Sequence, residues 1–146
     1  MQWLQLVGRF LFGMVFLVNG VMGHFLSHGM LSRYASSKGV PFPEVMIIIT
    51  GVMLVVGGLS VILGYKPEMG LWLLVAFAIP TALIMHNFWA VPADQMMAER
   101  AHFLKDMALG GAALMMIVFA TAEPWPLSLG GESGGRDGGI GAAPAA

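Results

Sequence analysis

The chain contains no cysteine. That removes disulfides, thiolate metal sites, iron–sulfur ligation and thiol catalysis together. Charge is equally scarce: seven Lys or Arg and eight Asp or Glu make 10% of the residues, where a soluble domain carries about a quarter. The net charge of −1 supplies no electrostatic footprint for DNA or RNA, so nucleic acid is not a partner. What the chain has instead is apolar surface, with 58% hydrophobic residues over 146 positions and a mean hydropathy of +0.80. Too few polar side chains remain to cover a soluble surface. A secreted enzyme, a nucleic-acid binder and a disordered linker are excluded, and the chain reads as an integral membrane protein.

A membrane helix needs about 20 apolar residues, because about 1.5 Å of rise per residue must cross about 30 Å of hydrocarbon. Four stretches qualify, at about 2–24, 44–63, 68–88 and 103–122. The first looks like a signal peptide, but Val21-Met22-Gly23-His24-Phe25 is a poor cleavage site, so it is expected to be retained. Pro41-Phe42-Pro43 suits the start of the second span, and Gly64-Tyr65-Lys66-Pro67 ends it and begins the third. Pro80 lies inside the third, where it should free a carbonyl. For the fourth, Asp94 is placed to cap one long helix that enters the membrane after two turns; a short separate interfacial helix is the alternative.

The expected fold is all-α: an antiparallel four-helix bundle over 1–122, followed by a Pro/Gly-rich tail over 123–146. Glu123-Pro124-Trp125-Pro126 should end the last span with tryptophan at the membrane interface. Residues 130–146 contain seven glycines, a flexible composition that a partner subunit would have to order. Gly13, Gly20, Gly51, Gly58, Gly110, Gly111 and Ala112 are candidates for close helix packing. The thirteen methionines are read as gap fillers and not as a copper site.

Four crossings put the loops 25–43 and 89–101 on one side. His24, His28, His86 and His102 all fall there, with Asn87, Trp89, Lys105, Asp106, Glu44, Arg33 and Tyr34. The other side has Arg9, Lys66, Glu68 and Glu123. Lys and Arg divide three against four, so charge bias does not orient the chain. Arg9 lies about two turns into the first span and needs to snorkel or to pair, with Glu68 and Glu123 as the plausible partners.

His86 and Asn87 can present a donor and an acceptor to a polar headgroup such as a quinone carbonyl, with Trp89 as an interface anchor. His102, Lys105 and Asp106 share a helical face. The ligand candidates are therefore His24, His86, Asn87, Trp89, His102, Lys105 and Asp106. No metal site is expected. His24 and His28 have i, i+4 spacing only if the first helix continues past Phe25; haem held between His24 and His86 stays open as an alternative. All eight carboxylates are read at helix ends, loops or the tail, which disfavours a proton-coupled exporter.

These fragments resemble the DoxX family of small four-span bacterial and archaeal membrane proteins. The resemblance rests on Gly8-Arg9-Phe10-Leu11-Phe12-Gly13 with Asn19-Gly20, Gly39-Val40-Pro41-Phe42-Pro43, and Gly57-Gly58 with Leu63-Gly64. It continues through His86-Asn87-Phe88-Trp89 and His102-Phe103-Leu104-Lys105-Asp106 with Gly110-Gly111. Relative to the family pattern, His24 stands where a lysine is frequent, Leu54 where an acid is frequent, and Lys105-Asp106 where Lys-Asn is common. The resemblance implies an accessory or structural subunit beside a quinone pool, working with other transmembrane subunits and lipid and without stand-alone catalysis. The alternative it implies is an autonomous quinone-linked oxidoreductase component of the thiosulfate:quinone type. Location in the inner membrane with both termini in the cytoplasm follows from the same likeness.

Overall fold

The computed structural model describes residues 1–129; the glycine-rich stretch expected to be flexible, 130–146, lies outside them. Four helices are long and apolar enough to cross a membrane, and no strand occurs among the described residues. The first, α1, runs over Gln2–Val18 and continues as a π-helical segment over Asn19–Leu26. A short helix α2, His28–Ser37, follows where a loop was expected. Then come α3, Pro43–Leu63, and α4, Pro67–Met85. A single 3-10 turn, Phe88–Ala90, leads into α5, Ala93–Ala122.

The element ends follow local chemistry. Gly39 and Gly64 adopt left-handed conformations, with φ of 79° and 66°. There they close α2 and α3 through bonds from Val40 N–H to the Ala35 carbonyl (3.1 Å) and from Tyr65 N–H to the Ser60 carbonyl (3.1 Å). Pro43 and Pro67 open the next helices, where their missing N–H costs nothing. The chain continues helically through Pro80. Asp94 does not cap α5; Pro92 occupies that position and Asp94 lies in the first turn, where its charge suits the helix dipole.

Packing proceeds in series: α1 against α3, α3 against α4, α4 against α5. Glycine sets each approach. A methyl at Gly13 would sit 2.6 Å from Ile62 Cγ1 and 2.7 Å from the Gly58 carbonyl oxygen, and one at Gly58 would sit 2.8 Å from the Gly13 carbonyl oxygen. Gly57 and Gly70 make the equivalent contact between α3 and α4. Leu54, Val61, Leu71 and Leu74 fill the centre with no exposure, joined by Phe16 from α1 and by Ala113 and Ile117 from α5. Outward faces stay apolar, as at Val56, Trp72, Leu83 and Phe119, which suits contact with lipid. Along the remaining seam, between α1 and α5, Gly8 meets nothing within 4 Å, and Gly111 on α5 is likewise open.

Two expectations are corrected, those for Trp125 and Arg9. Trp125 is not an exposed, lipid-facing anchor; it is 6% exposed and packs into the core. Beyond Glu123 the chain returns to the bundle, where Leu129 N–H reaches the Leu63 carbonyl at 2.9 Å. Arg9 pairs with neither Glu68 nor Glu123. Its guanidinium donates to the carbonyls of Pro126 (3.0 Å) and Leu127, because the returning chain brings backbone oxygens to it ahead of either carboxylate.

Gly13→Ala should lower the thermal unfolding midpoint in detergent by the equivalent of about 1–3 kcal/mol, the usual range for overpacking. Gly111→Ala, which meets open space, should leave the midpoint unchanged or raise it. Equal effects of the two substitutions would contradict glycine-limited packing.

Candidate functional site

A cavity of ≈ 410 Å³ opens at the end of the bundle where the loops lie. Drug-sized ligands occupy cavities of about 300–1,000 Å³. Its walls come from the π-helical segment and four of the helices: His24 from the π-helical segment, Tyr34 from α2, Met46 and Met53 from α3, Phe77 and Pro80 from α4, His102 and Asp106 from α5. Most of the lining is apolar. The polar groups gather where α4 ends beside α5.

His86 is the centre of that polar wall. It follows the last residue of α4, and its ring lies between two acids: Nδ1 is 2.8 Å from Glu99 Oε2 and Nε2 is 3.6 Å from Asp106 Oδ2. A neutral imidazole can donate to one of these carboxylates, a protonated one to both. His102 stacks on the same ring, with centroids 5.0 Å apart. Lys105 Nζ stands 3.3 Å from Asp106 Oδ1 and remains half exposed. The other Glu99 oxygen accepts from the Tyr34 hydroxyl at 2.7 Å. The Met85 carbonyl lies 3.1 Å from the same hydroxyl, but a single proton favours the charged acceptor.

Tyr34 is fixed from α2, outside the spans. Burial first, then its bond to Glu99 and that residue's charge, push its phenol above the ordinary tyrosine range. Lys38, the C-cap residue that ends α2, donates to Asn87 Oδ1 at 2.9 Å and lies over the Tyr34 ring. Two ties therefore hold α2 over the end of α4.

His24 is 4% exposed. Its Nδ1–H donates to the Asn19 carbonyl at 3.2 Å, and its ring meets the edge of Phe77. Gly51 leaves the space for it, since a methyl there would lie 2.8 Å from His24 Cβ. A π-turn places one more residue per turn than an α-helix would, which changes the side chains that face inward; such turns recur at functional sites. Pro80 carries no N–H for the Ala76 carbonyl, and both residues line the cavity.

Of the sequence-derived candidates, His24, His86, His102, Lys105 and Asp106 line this one cavity, and Asn87 and Trp89 do not. Asn87 is engaged by Lys38, while Trp89 is exposed and packs against Phe88 and Phe103. The helix breaks at Ser27, and His28 donates instead to the Glu44 carbonyl at 3.0 Å, so His24 and His28 form no pair. A haem bridge from His24 to His86 does not suit these donors, because both nitrogens of His86 face carboxylates. Among the described residues no three His, Asp or Glu side chains gather as a metal site.

The reading that no carboxylate lies inside a helix body is overturned. Asp106 is 6% exposed within α5, and Glu99 lies half-buried in the same helix. The cause is α2 and the 3-10 turn, which cover that end and take both acids away from water. Glu99 is the residue that sequence reasoning missed. Its signal was present in the i, i+3, i+7 spacing of Glu99, His102 and Asp106; Tyr34 left no comparable trace.

The family model described as DoxX matches residues 4–87, more than half of the chain. The chain belongs to the DoxX family. It is also similar to "Inner membrane protein YphA" of Escherichia coli (strain K12), with 26% identity over 115 residues that span 79% of this chain and 81% of that protein. No solved structure matches. With four apolar helices, this DoxX protein is a multi-pass membrane protein. Its match to the family model ends at Asn87, so Glu99, His102, Lys105 and Asp106 lie beyond the matched region.

Tyr34→Phe and Glu99→Gln should each destabilise the detergent-solubilised chain by about 1–2 kcal/mol, and the double variant by less than their sum. Strict additivity would mean that the two groups do not interact. Stability linked to the Tyr34 proton is complete below the ordinary tyrosine value of about 10 and is lost as pH rises through its raised value. Alkaline unfolding of Tyr34→Phe should therefore depend less on pH than that of the parent.

Proposed function

We propose that this DoxX protein is an accessory membrane subunit of a larger electron-transfer assembly and that its cavity receives the headgroup of a quinone or a lipid. The observation that carries this reading is the His86 ring, held between Glu99 and Asp106 at the polar end of an otherwise apolar cavity. A quinone carbonyl accepts hydrogen bonds and a hydroquinone hydroxyl donates them. Lys105 and an imidazole N–H supply the first need, and Asp106 supplies the second. The apolar side chains of Met46, Met53, Phe77 and Ile84 suit a ring and the start of an isoprenoid tail.

Family membership supports the setting, because the family takes its name from the small subunit of a thiosulfate:quinone oxidoreductase. Similarity to an inner membrane protein supports an inner-membrane location; the proposal adds that both termini lie in the cytoplasm. Other transmembrane subunits are the partners this reading requires.

Equilibrium binding of a short-chain ubiquinone to the purified chain in lipid nanodiscs tests the pocket. Asp106→Asn should weaken binding by about tenfold, the loss of one charged hydrogen bond. Trp89→Phe should leave it unchanged, since that ring lies outside the cavity. Binding that is equally insensitive to both changes removes the quinone from the proposal. In the native membrane, His86→Ala should lower quinone-dependent turnover while the co-purifying chains stay the same; loss of those chains alone would leave a purely structural subunit.

A further inference from the structure

A second cavity, of ≈ 750 Å³, lies at the opposite end of the bundle, between the first turns of α1 and the exit of α5. Two donors in its lining residues have no partner among the described residues: Arg9 Nε and Trp125 Nε1. Both residues are deeply buried, Arg9 at 2% and Trp125 at 6% exposure. The terminal nitrogens of Arg9 are occupied by the Pro126 and Leu127 carbonyls. Those oxygens satisfy N–H groups but do not cancel a charge. Among the described residues no carboxylate forms an ion pair with Arg9. A buried cation and two idle donors at a membrane-spanning helix end are costly unless an anion answers them.

We propose that this cavity binds an anionic phospholipid, whose phosphodiester answers the Arg9 charge by taking Arg9 Nε–H and Trp125 Nε1–H once a small side-chain shift uncovers these enclosed donors, and whose acyl chain lies along Phe12, Met116 and Phe119. These three side chains line the same cavity, and Gly8, with nothing within 4 Å, keeps the seam open beside them. The site lies between two membrane spans, where a lipid enters sideways and a free ion has no apolar wall to use. Glu123, exposed at the rim, disfavours a second negative charge. A phosphodiester carries one charge, whereas free phosphate carries more at neutral pH. A zwitterionic lipid brings its own cation and so leaves Arg9 uncompensated.

The test uses the full chain, delipidated in detergent, with dioleoyl-phosphatidylglycerol, dioleoyl-phosphatidylcholine and inorganic phosphate as separate probes. Native mass spectrometry counts the retained lipid, and the thermal unfolding midpoint reports stabilisation. Phosphatidylglycerol should be retained in preference and should raise the midpoint, with phosphatidylcholine and phosphate doing neither. Trp125→Phe keeps the aromatic fill and removes one donor. It should cut the preference for phosphatidylglycerol by about tenfold without unfolding the chain, which covers the case in which Arg9→Gln fails to fold. Equal retention of the two lipids, equal stabilisation by phosphate, or an unchanged preference in Trp125→Phe overturns the proposal. So does a gain of lipid in the Glu132→Gln, Asp137→Asn variant, because the chain's own carboxylates would then be the occupant.

Discussion

The architecture depends on how closely backbones approach in a solvent that gives apolar helices no reason to associate. Lipid tails are as apolar as leucine, so contact has to come from dispersion at short range. Gly13, Gly20, Gly51 and Gly58 bring α1 onto α3, and Gly57 and Gly70 bring α3 onto α4. No such pair exists between α1 and α5. The molecule is therefore tight on three sides and loose on the fourth, and the cavity beside Arg9 follows that loose seam. Space at that end is a consequence of where glycine is absent from a helix contact.

The two ends of the bundle are finished differently. At the loop end, α2 and the turn Phe88–Ala90 cover the polar residues, and Tyr34 and Lys38 tie that cover to Glu99 and Asn87. Charge there is mixed and largely answered: two acids, a histidine between them and a half-exposed lysine. At the other end the chain folds back after α5, and Arg9 holds it by its carbonyls. The buried charge there is that of Arg9, met by backbone carbonyls, while Glu123 stays exposed at the rim.

Asp106 shows how burial arises from assembly. Within α5 it lies next to a lysine and one helical turn from His102, which alone would describe a solvated helix surface. It is sequestered because α4 ends at Met85 and delivers His86 beside it, while α2 crosses the same end. The long helix α5 also begins ten residues before the span expected from hydropathy at 103, so Glu99 in its second turn reaches Tyr34 and His86 beside the cavity.

Hydropathy, the positions of proline and glycine, and an even number of spans were enough to determine four membrane helices, their order and the end to which the histidines go. Those features act locally, through transfer energy and allowed backbone angles, so they can be read from a chain in isolation. Arg9 and Asp106 were visible as anomalies for the same reason: a charge in an apolar stretch is costly wherever the stretch folds. Tertiary structure alone decided their partners. The Pro126 and Leu127 carbonyls took Arg9, Glu99 joined His86, Asn87 and Trp89 were left outside the cavity, and Trp125 entered the core. Each outcome depends on which distant backbone arrives within about 3 Å, the reach of a hydrogen bond, and no local preference encodes that distance.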